Sequence, residues 1–200
     1  MSIPRVLHRV WVGDGPIPGQ FECFWDKWHA LNPGWDFRTW RDGDLGWLTN
    51  RHLFEGTESP AGRSDIARYE VLLHGGLYVD CDVEPLKALD DELTDHRVIA
   101  ARDDGVHICT AVMGCEANHP AVRYLVRALP SWANQHRGSR PNLRTGPIFV
   151  TAKWKNRKDV TILPTEAFYP LPWAERHRIK GGPYPPGSYA VHHWAGSWLA

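Results

Sequence analysis

The 200-residue sequence predicts a single α/β domain, residues 1–200, with a largely parallel sheet. Short apolar runs typical of strands, such as residues 5–12 and 108–115, alternate with segments of helical periodicity, such as residues 20–31. This alternation is typical of sheets whose faces are covered by helices. No internal repeat or low-complexity tract interrupts it.

The first fifth of the chain is predicted to form a strand, a helix and a second strand. Residues 5–12 predict the first strand, which the turn-forming run GDGPIP ends. Residues 20–31 place apolar side chains at helical spacing, and an Asn-Pro-Gly run at 32–34 predicts the end of that helix. Residues 35–40 predict a short second strand.

A second helix is predicted over residues 64–74. Ser64 would cap its N-terminus, Asp65 would lie in the first turn, and the glycines at 75–76 would end it. Its apolar stripe consists of Ile66, Tyr69 and Leu73. The strand that contains Asp80 follows directly.

The remaining elements continue the alternation. Runs rich in aliphatic residues predict strands over residues 96–102 and 108–115. Residues 119–132 predict a helix, and terminal strands are predicted over 160–164 and 189–194.

Composition and charge show no strong bias. Hydrophobic residues make up 42% of the chain, and 23 basic residues balance 23 acidic ones, so net charge does not indicate a nucleic-acid or membrane partner. The sequence has no apolar run of 18 residues and no signal-peptide-like start. Its four cysteines lack metal or disulfide spacing, which favours reduced thiols. We therefore expect a cytoplasmic protein without a membrane span.

Asp80 and Asp82 stand one residue apart in the apolar run GGLYVDCDVEPL, residues 75–86. Because side chains alternate along a strand, this run predicts a face that carries Tyr78, both aspartates and Glu84. The opposite, apolar face would consist of Leu77, Val79, Cys81 and Val83. Ligands of open α/β sheets bind at the carboxyl ends of strands, which is where the aspartates are predicted to lie.

Two carboxylates this close raise each other's pKa unless a cation neutralises them. Their hard oxygen atoms suit Mg²⁺ or Mn²⁺, and these ions in turn suit a nucleotide diphosphate. A bridging metal would act as a Lewis acid on the leaving group. The alternative is that Asp80 and Asp82 only cap a loop and bind water.

Asp65 and Arg68 are three residues apart and therefore neighbours on one face of the predicted helix. One interpretation is a surface ion pair of little energetic value. The other is an exposed helix face that borders the same cleft as Asp80. Arg68 would then serve phosphate or sugar hydroxyls, and Asp65 would accept hydrogen bonds from hydroxyls.

The segment SDIARYEVLLHGGLYVDCDVEPL, residues 64–86, closely resembles the signature of the DXD-motif sugar transferases of glycosyltransferase family 32. This family includes yeast-type initiating mannosyltransferases, capsular polysaccharide enzymes and, more distantly, the clostridial glucosylating toxins. IPRVLHRVWVGDGPIP (3–18) is similar to the family's opening motif and VHHWAGSW (191–198) to its closing motif. TGP (145–147) and ILPTEAFYPLPW (162–173) also match in order.

The resemblance implies a GT-A fold, a nucleotide-binding α/β domain around a mixed, mainly parallel sheet. It implies a retaining, metal-dependent hexosyltransferase that uses Mn²⁺ or Mg²⁺ and a UDP-sugar, with a GDP-sugar as the alternative donor. The acceptor would be a hydroxyl on a glycan, a protein or another biomolecule.

By position, the resemblance also implies roles for single residues. Trp11 would stack on the nucleotide base, although a core tryptophan is the alternative. Asp65 and Arg68 would hold the donor sugar, and Tyr78 would lie near the nucleotide. Asp80 would contact the ribose and sugar, largely through the metal.

In the same way, Asp82 would ligate the metal directly. His192 would be a metal or diphosphate ligand, with His193 as the alternative, because alternation along a strand lets only one of them point inward. Ser197 and Trp198 would close over the diphosphate.

The resemblance also leaves some features open. Trp194 is expected in the core. The toxins' C-terminal metal-binding carboxylate has no counterpart in this chain.

Two other functions remain as alternatives. The D-x-D pair also resembles that of haloacid-dehalogenase phosphatases, in which the first aspartate, Asp80 here, attacks phosphate and the second, Asp82, is the acid/base. That motif normally opens its domain, whereas about eighty residues precede it here. The second alternative is a non-catalytic module that binds a nucleotide sugar or a glycan.

Residues 137–158 carry seven Lys or Arg residues and no acidic residue. This segment is either a solvated basic face or a contact surface for an anionic acceptor. Such an acceptor could be a phosphorylated glycan, a lipid diphosphate or, as the less favoured alternative, a nucleic acid.

Overall fold

A computed structural model describes residues 2–103 and 105–196. Its main sheet has six strands in the order β2-β1-β3-β6-β5-β7, and β4 pairs with β8 in a second sheet. The strands are β1 (Val6–Val10), β2 (Asp36–Trp40), β3 (Gly76–Val79), β4 (Val83–Pro85), β5 (Val98–Arg102), β6 (Ile108–Cys115), β7 (Thr161–Leu163) and β8 (Ala190–His192). Strand β1 is parallel to β2 and β3, and β5 to β7, whereas β6 is antiparallel to both neighbours. The predicted α/β fold with a mixed, mainly parallel sheet is therefore confirmed.

Helices cover both faces of this sheet. They are α1 (Gly19–Leu31), α2 (Arg51–Glu55), α3 (Pro60–Val71), α4 (Asp91–Thr94), α5 (Pro120–Gln135), α6 (Pro141–Arg144) and α7 (Pro147–Trp154). Short 3₁₀ helices span Asp42–Leu45, Leu72–His74, Thr165–Ala167 and Trp173–Gly181. None of the described helices is long and apolar enough to cross a membrane.

Two hydrophobic clusters pack against the sheet. Tyr78 of β3 belongs to the cluster beneath α3, α5 and α7, together with Trp154. Its neighbours Leu77 and Val79 belong to the cluster on the other face, together with Trp28 of α1. The strand alternation expected for β3 therefore determines which cluster each side chain joins.

Helix α3 begins earlier than predicted. Ser59, not Ser64, caps it: its Oγ accepts a hydrogen bond from the Gly62 N–H (3.4 Å), and Pro60 occupies the first turn, where a missing N–H costs nothing. The prediction that Asp65 lies in the first turn is wrong for the same reason. The residues at 60–63 carry no apolar stripe, so periodicity alone missed them.

The predicted continuous strand through Asp80 and Asp82 is also wrong. Strand β3 ends at Val79, and the chain turns through residues 80–82, closed by the Val83 N–H donating to the Asp80 carbonyl (3.0 Å). Strand β4 then pairs with β8 instead of continuing the main sheet. The turn contains neither Gly nor Pro, and the apolar run around it outweighed its two aspartates, although aspartate favours turns.

The entry into β3 requires glycine. Gly76 has φ +121°, and a Cβ there would lie 2.5 Å from the Val6 carbonyl oxygen. This close approach brings β3 against β1, so that both strands end at the same edge of the sheet.

Candidate active site

A cleft of about 590 Å³ opens where β1 and β3 end. The turn at 80–82, helix α3 and the segment after β8 all contribute to its wall. This position, at the carboxyl ends of parallel strands, is the usual ligand site of α/β sheets. Residues with roles implied by the sequence that line it are Trp11, Asp65, Arg68, Asp80, Asp82 and His192.

Asp80 is held from behind by two donors. Its Oδ1 accepts hydrogen bonds from the Tyr78 hydroxyl (2.6 Å) and from Arg68 Nη2 (2.9 Å). Within the described residues, Oδ2 has no such partner. Burial raises the pKa of Asp80, and the Arg68 guanidinium opposes this shift.

Tyr78 lies behind the cleft wall, and its predicted place near the nucleotide stays a prediction. Its side chain is fully buried and is not part of the cleft wall. Burial also raises its pKa well above the usual range, so the phenol stays protonated and donates to Asp80. Tyr78 can therefore affect a ligand only by positioning Asp80.

Arg68 joins the two acidic residues on either side of it. Its Nη2 lies 2.9 Å from Asp80 Oδ1 and 3.4 Å from Asp65 Oδ1, while its Nη1 donates to the Thr110 carbonyl (2.7 Å). Both Arg68 and Asp65 are buried. The exposed helix face expected from the sequence is therefore wrong, and so is the surface ion pair.

Asp65 also depends on a residue that the sequence did not single out. The Thr145 hydroxyl donates to Asp65 Oδ2 (2.8 Å), and the Thr110 hydroxyl lies 3.5 Å from Oδ1. Burial raises the pKa of Asp65 to about 6, against the opposing effects of Arg68 and Thr145. Thr145 belongs to the TGP stretch, residues 145–147, that matches the family. The sequence does not indicate that it contacts Asp65, eighty residues earlier.

The half-buried Asp82 and the buried His192 form a second pair. His192 Nε2 lies 3.2 Å from Asp82 Oδ1, and the Ala195 N–H donates to Asp82 Oδ2 (2.9 Å). Burial alone would lower the pKa of His192, but Asp82 outweighs it and raises this pKa to about 10. Burial likewise favours a higher pKa for Asp82, but His192 reverses the shift and lowers it.

The choice between the two histidines follows from alternation. His193 Nε2 contacts Glu84 Oε2 (2.8 Å) and its ring lies against Phe24, whereas His192 faces the aspartates. Only His192 lines the cleft. Its role as a ligand stays a prediction.

The residues present fit a divalent cation. Asp80, Asp82 and His192 each offer a ligand atom, and these atoms lie within 4.8 Å of one another. In the described part of the chain no other group of three does so. The buried His192 Nδ1 also lacks a hydrogen-bond partner there. Two carboxylates beside an imidazole suit a transition ion such as Mn²⁺ better than Mg²⁺, whose usual ligands are all oxygen.

Trp11 lies in the cleft wall just beyond β1. Its indole Nε1 donates to the Gly15 carbonyl (2.9 Å), and the ring meets Phe21 edge-on. The side chain is half-buried, so part of the ring remains accessible from the cleft. A fully buried core tryptophan is therefore excluded, while stacking on a base stays a prediction.

Two tryptophans towards the C-terminus form part of the cleft wall, which the sequence did not predict. Trp194, expected in the core, is half-buried and lines the cleft with Trp173. Its φ of +54° turns the backbone sharply after His193. Ser197 and Trp198 lie outside the described residues, so their predicted role stays a prediction.

The basic segment 137–158 is not one uniform surface. Arg140 is exposed and lines the cleft, and among the described residues its guanidinium has no hydrogen-bond or ion-pair partner. Farther along the segment, Lys153 lies over the Trp132 ring (4.8 Å), and Arg157 pairs with Asp159.

A model described as "Glycosyltransferase sugar-binding region containing DXD motif" matches residues 18–100. Over 167 residues the chain is 28% identical to inositol phosphoceramide mannosyltransferase 3 of Schizosaccharomyces pombe. This match covers 76% of the chain and 45% of that relative, so the chain spans under half of its length. An uncharacterized glycosyltransferase L373 of Acanthamoeba polyphaga mimivirus is 25% identical over 84% of this chain and 73% of its own.

Solved structures share the fold at low identity. The ligand-free glycosyltransferase domain of the YGT toxin has a TM-score of 0.65 and 12% identity, and the match covers 81% of this chain and 80% of that one. A glycosyltransferase involved in glycosylation of the PBCV-1 major capsid has a TM-score of 0.54 and 11% identity, over 94% and 93% of the two chains. The resemblance expected from the sequence is thus confirmed to this extent: residues 18–100 match the DXD-containing sugar-binding region of the glycosyltransferases, and the chain has a GT-A fold.

Proposed function

We propose that this protein is a metal-dependent, retaining glycosyltransferase that moves a hexose from a nucleotide-diphosphate sugar to an acceptor hydroxyl. The observation that carries the proposal is that two groups of residues, the candidate metal ligands and an ion pair, lie in one cleft. The candidate metal ligands Asp80, Asp82 and His192 lie there beside the buried Asp65–Arg68 pair. A divalent ion held by the three ligands would neutralise the charge that develops on the leaving diphosphate.

The donor can be placed along this cleft. Trp11 offers an indole face for the base, and Arg68, whose buried Nε lacks a partner in the described chain, fixes a positive charge beside Asp80. The pKa of Asp65 is raised to about 6. Its carboxylate already accepts a hydrogen bond from Thr145 and would accept hydrogen bonds from sugar hydroxyls in the same way. A solved neighbour of this fold is a UDP-bound toxin domain, which supports a UDP-sugar ahead of a GDP-sugar.

Transfer would break the bond from the anomeric carbon to the diphosphate and form one to the acceptor oxygen. The acceptor's hydroxyl proton would pass to the departing phosphate on the same face of the sugar, which retains the configuration. Thr145 and Arg68 already bond to the Asp65 oxygens, which favours hydrogen bonding by this carboxylate over nucleophilic attack. Arg68 would stabilise the charge of the leaving group from a fixed position.

We also propose that the acceptor is anionic. Arg140 is an unpaired guanidinium on the wall of the reaction cleft, where a phosphate would find a fixed partner. The name of the fission-yeast relative, which includes an inositol phosphoceramide, supports this acceptor class. A nucleic acid is less favoured, because Lys153 and Arg157 are already engaged by Trp132 and Asp159.

The test is release of nucleoside diphosphate from a panel of UDP- and GDP-sugars, with Mn²⁺ and with EDTA. We expect one donor to be turned over with Mn²⁺ only, and Asp82→Ala to abolish the reaction. Glu84→Gln is the matched control, because Glu84 is a nearby carboxylate that pairs with Lys27 and His193 instead of the site. Hydrolysis of simple phosphate esters with no donor turnover would favour the phosphatase. Donor binding without turnover of any kind would favour a binding module.

A further inference from the structure

Trp173 is an exposed tryptophan inside the cleft. It begins the 3₁₀ helix Trp173–Gly181, and 45% of its surface is exposed. The other large apolar side chains exposed to a similar degree in the described chain are Trp47, Val106 and Tyr124, and none of these lines the cleft. An apolar ring held open inside a reaction cleft indicates a binding partner more strongly than a scattered surface residue does.

The indole is fixed on two sides. Arg176 lies over the ring, with its guanidinium carbon 4.1 Å from the centroid, and its Nη1 donates to the Trp173 carbonyl (3.0 Å). Trp194 meets the ring at an interplanar angle of 87° and a centroid distance of 6.1 Å. Trp173 is therefore held in place before any ligand arrives, which reduces the entropy lost on binding.

A short chain of contacts joins this ring to the candidate metal ligands. The Trp194 ring lies 4.0 Å from the His192 ring, and His192 contacts Asp82 at 3.2 Å. Trp194 is itself anchored by donating to the Leu171 carbonyl (3.0 Å). Trp173 thus lies within two ring contacts of the residues assigned to the diphosphate.

None of the contacts proposed for the donor involves Trp173. The donor's base is assigned to Trp11, its diphosphate to the metal ligands, and its sugar to Asp65 and Arg68. What remains for the cleft to bind is the acceptor. The apolar C–H face of a pyranose ring complements an indole face, and its hydroxyls stay in water at the edge.

We propose that Trp173 is the platform on which a pyranose ring of the acceptor stacks, so that the acceptor is a glycan or glycoside. This inference rests on the proposed transferase function. It makes Trp173 a specificity-determining residue for the acceptor and gives it no part in donor binding.

A binding experiment tests the platform without any turnover. The protein is labelled with 5-fluorotryptophan, and Trp173→Phe and Trp47→Phe assign two of its ¹⁹F signals. Methyl hexopyranosides of glucose, galactose and mannose are titrated in the presence of UDP or GDP and Mn²⁺, with sorbitol as the open-chain control. We expect a saturable shift of the Trp173 signal with at least one pyranoside, no shift with sorbitol, and none at Trp47, which is equally exposed (43%) but outside the cleft.

Kinetics then separate acceptor from donor. In Trp173→Ala the KM for the pyranoside acceptor should rise about tenfold or more. The donor KM and the slow acceptor-free hydrolysis of the donor should stay unchanged. Trp173→Phe should restore part of the loss, and Trp47→Ala should cause none.

The inference is overturned if no pyranoside shifts the Trp173 signal at the solubility limit of the sugars. It is also overturned if Trp173→Ala leaves the acceptor KM unchanged, or if open-chain hydroxyls are accepted equally well. Donor hydrolysis by the wild type in those cases would leave the transferase function standing. If no donor is hydrolysed, the transferase function fails, and the ¹⁹F titration still decides whether Trp173 binds a sugar ring.

Discussion

Two carboxylate–histidine pairs lie side by side across strands β4 and β8. Asp82 pairs with His192 at 3.2 Å, and Glu84 pairs with His193 at 2.8 Å. The first pair lines the cleft, with His192 buried and Asp82 half-buried, whereas both side chains of the second pair are half-buried and Glu84 also pairs with Lys27. Alternation of side chains turns the adjacent histidines to opposite sides, so that each meets a different carboxylate in a different environment.

The comparison shows that burial and the neighbouring groups, rather than the residue type, set the pKa of a side chain. The pKa of His192 is raised to about 10, because Asp82 outweighs the effect of burial. His8, a buried histidine without a carboxylate, shows the opposite: burial lowers its pKa to about 4. A histidine in this protein is therefore a charged ion-pair partner or a neutral hydrogen-bonding ring according to what faces it.

The largest effect should come from the cation of the buried site. Arg68→Met leaves the buried Asp65 and the half-buried Asp80 without a counter-charge, and we expect it to lower the free energy of unfolding by about 3–5 kcal/mol in chemical denaturation. Lys27→Met removes the exposed cation beside Glu84 and should cost about 1 kcal/mol or less. Equal losses in the two variants would contradict the distinction between the pairs.

The next effect is the pH dependence due to His8. Its Nδ1 accepts from Trp40 Nε1 (3.2 Å) and its Nε2 donates to the Gly75 carbonyl (3.0 Å), an arrangement open only to the neutral ring. Since the folded pKa lies below the unfolded one, this stabilisation is complete above pH 6.5 and is lost as the pH falls towards 4. The loss should reach about 3 kcal/mol, from about 1.4 kcal/mol per pH unit.

Denaturation at several pH values measures this effect by difference, because Asp and Glu residues titrate in the same range. His8→Gln keeps a donor but no group that titrates there. The wild type should lose stability relative to His8→Gln between pH 6.5 and 4. Parallel curves for the two proteins would refute the assignment.

The third-largest effect should be the loss of metal affinity when a candidate ligand is removed. His192→Gln should weaken Mn²⁺ binding about 100-fold, the upper end of the loss seen when metal sites lose supporting groups. His193→Gln, the neighbouring residue, should change it less than about twofold, because its ring contacts Glu84 and Phe24 instead of the aspartates. Free Mn²⁺ measured by electron paramagnetic resonance reports both affinities. Comparable losses of affinity in the two variants would contradict the assignment of His192, and not His193, as the metal ligand.

The fold was predictable to a large extent because periodicity is a local property. The bounds of β6, residues 108–115, follow directly from the sequence, and those of α1 and β2 nearly so. Helix α3 was placed too late because its first turn has no apolar stripe. The turn at residues 80–82 was missed because it has neither Gly nor Pro, and because Asp80 still extends the main sheet by donating its N–H to the Ala111 carbonyl (2.8 Å).

The candidate site was predictable as a set of residues but not as an arrangement. The D-x-D spacing singled out Asp80 and Asp82. Alternation predicted only that one of His192 and His193 points inward, and the structure shows His192 facing Asp82. The contacts of Thr145 with Asp65 and of Trp173 with Trp194 join segments far apart in the chain. Such contacts depend on how elements pack, which no local pattern contains.

The smallest expected effect sharpens the comparison most directly. A double-mutant cycle of Glu84→Gln and His193→Gln should give a coupling energy below about 1 kcal/mol, because this pair is partly solvated and Glu84 keeps Lys27. The cycle of Asp82→Asn and His192→Gln, in metal-free protein at pH 7, should give about 2–3 kcal/mol, as expected of a buried pair in contact. Urea denaturation of the seven proteins, with the wild type common to both cycles, supplies both numbers. If the two couplings are equal, burial is not what separates the pairs, and the choice of His192 rests on its position in the cleft alone.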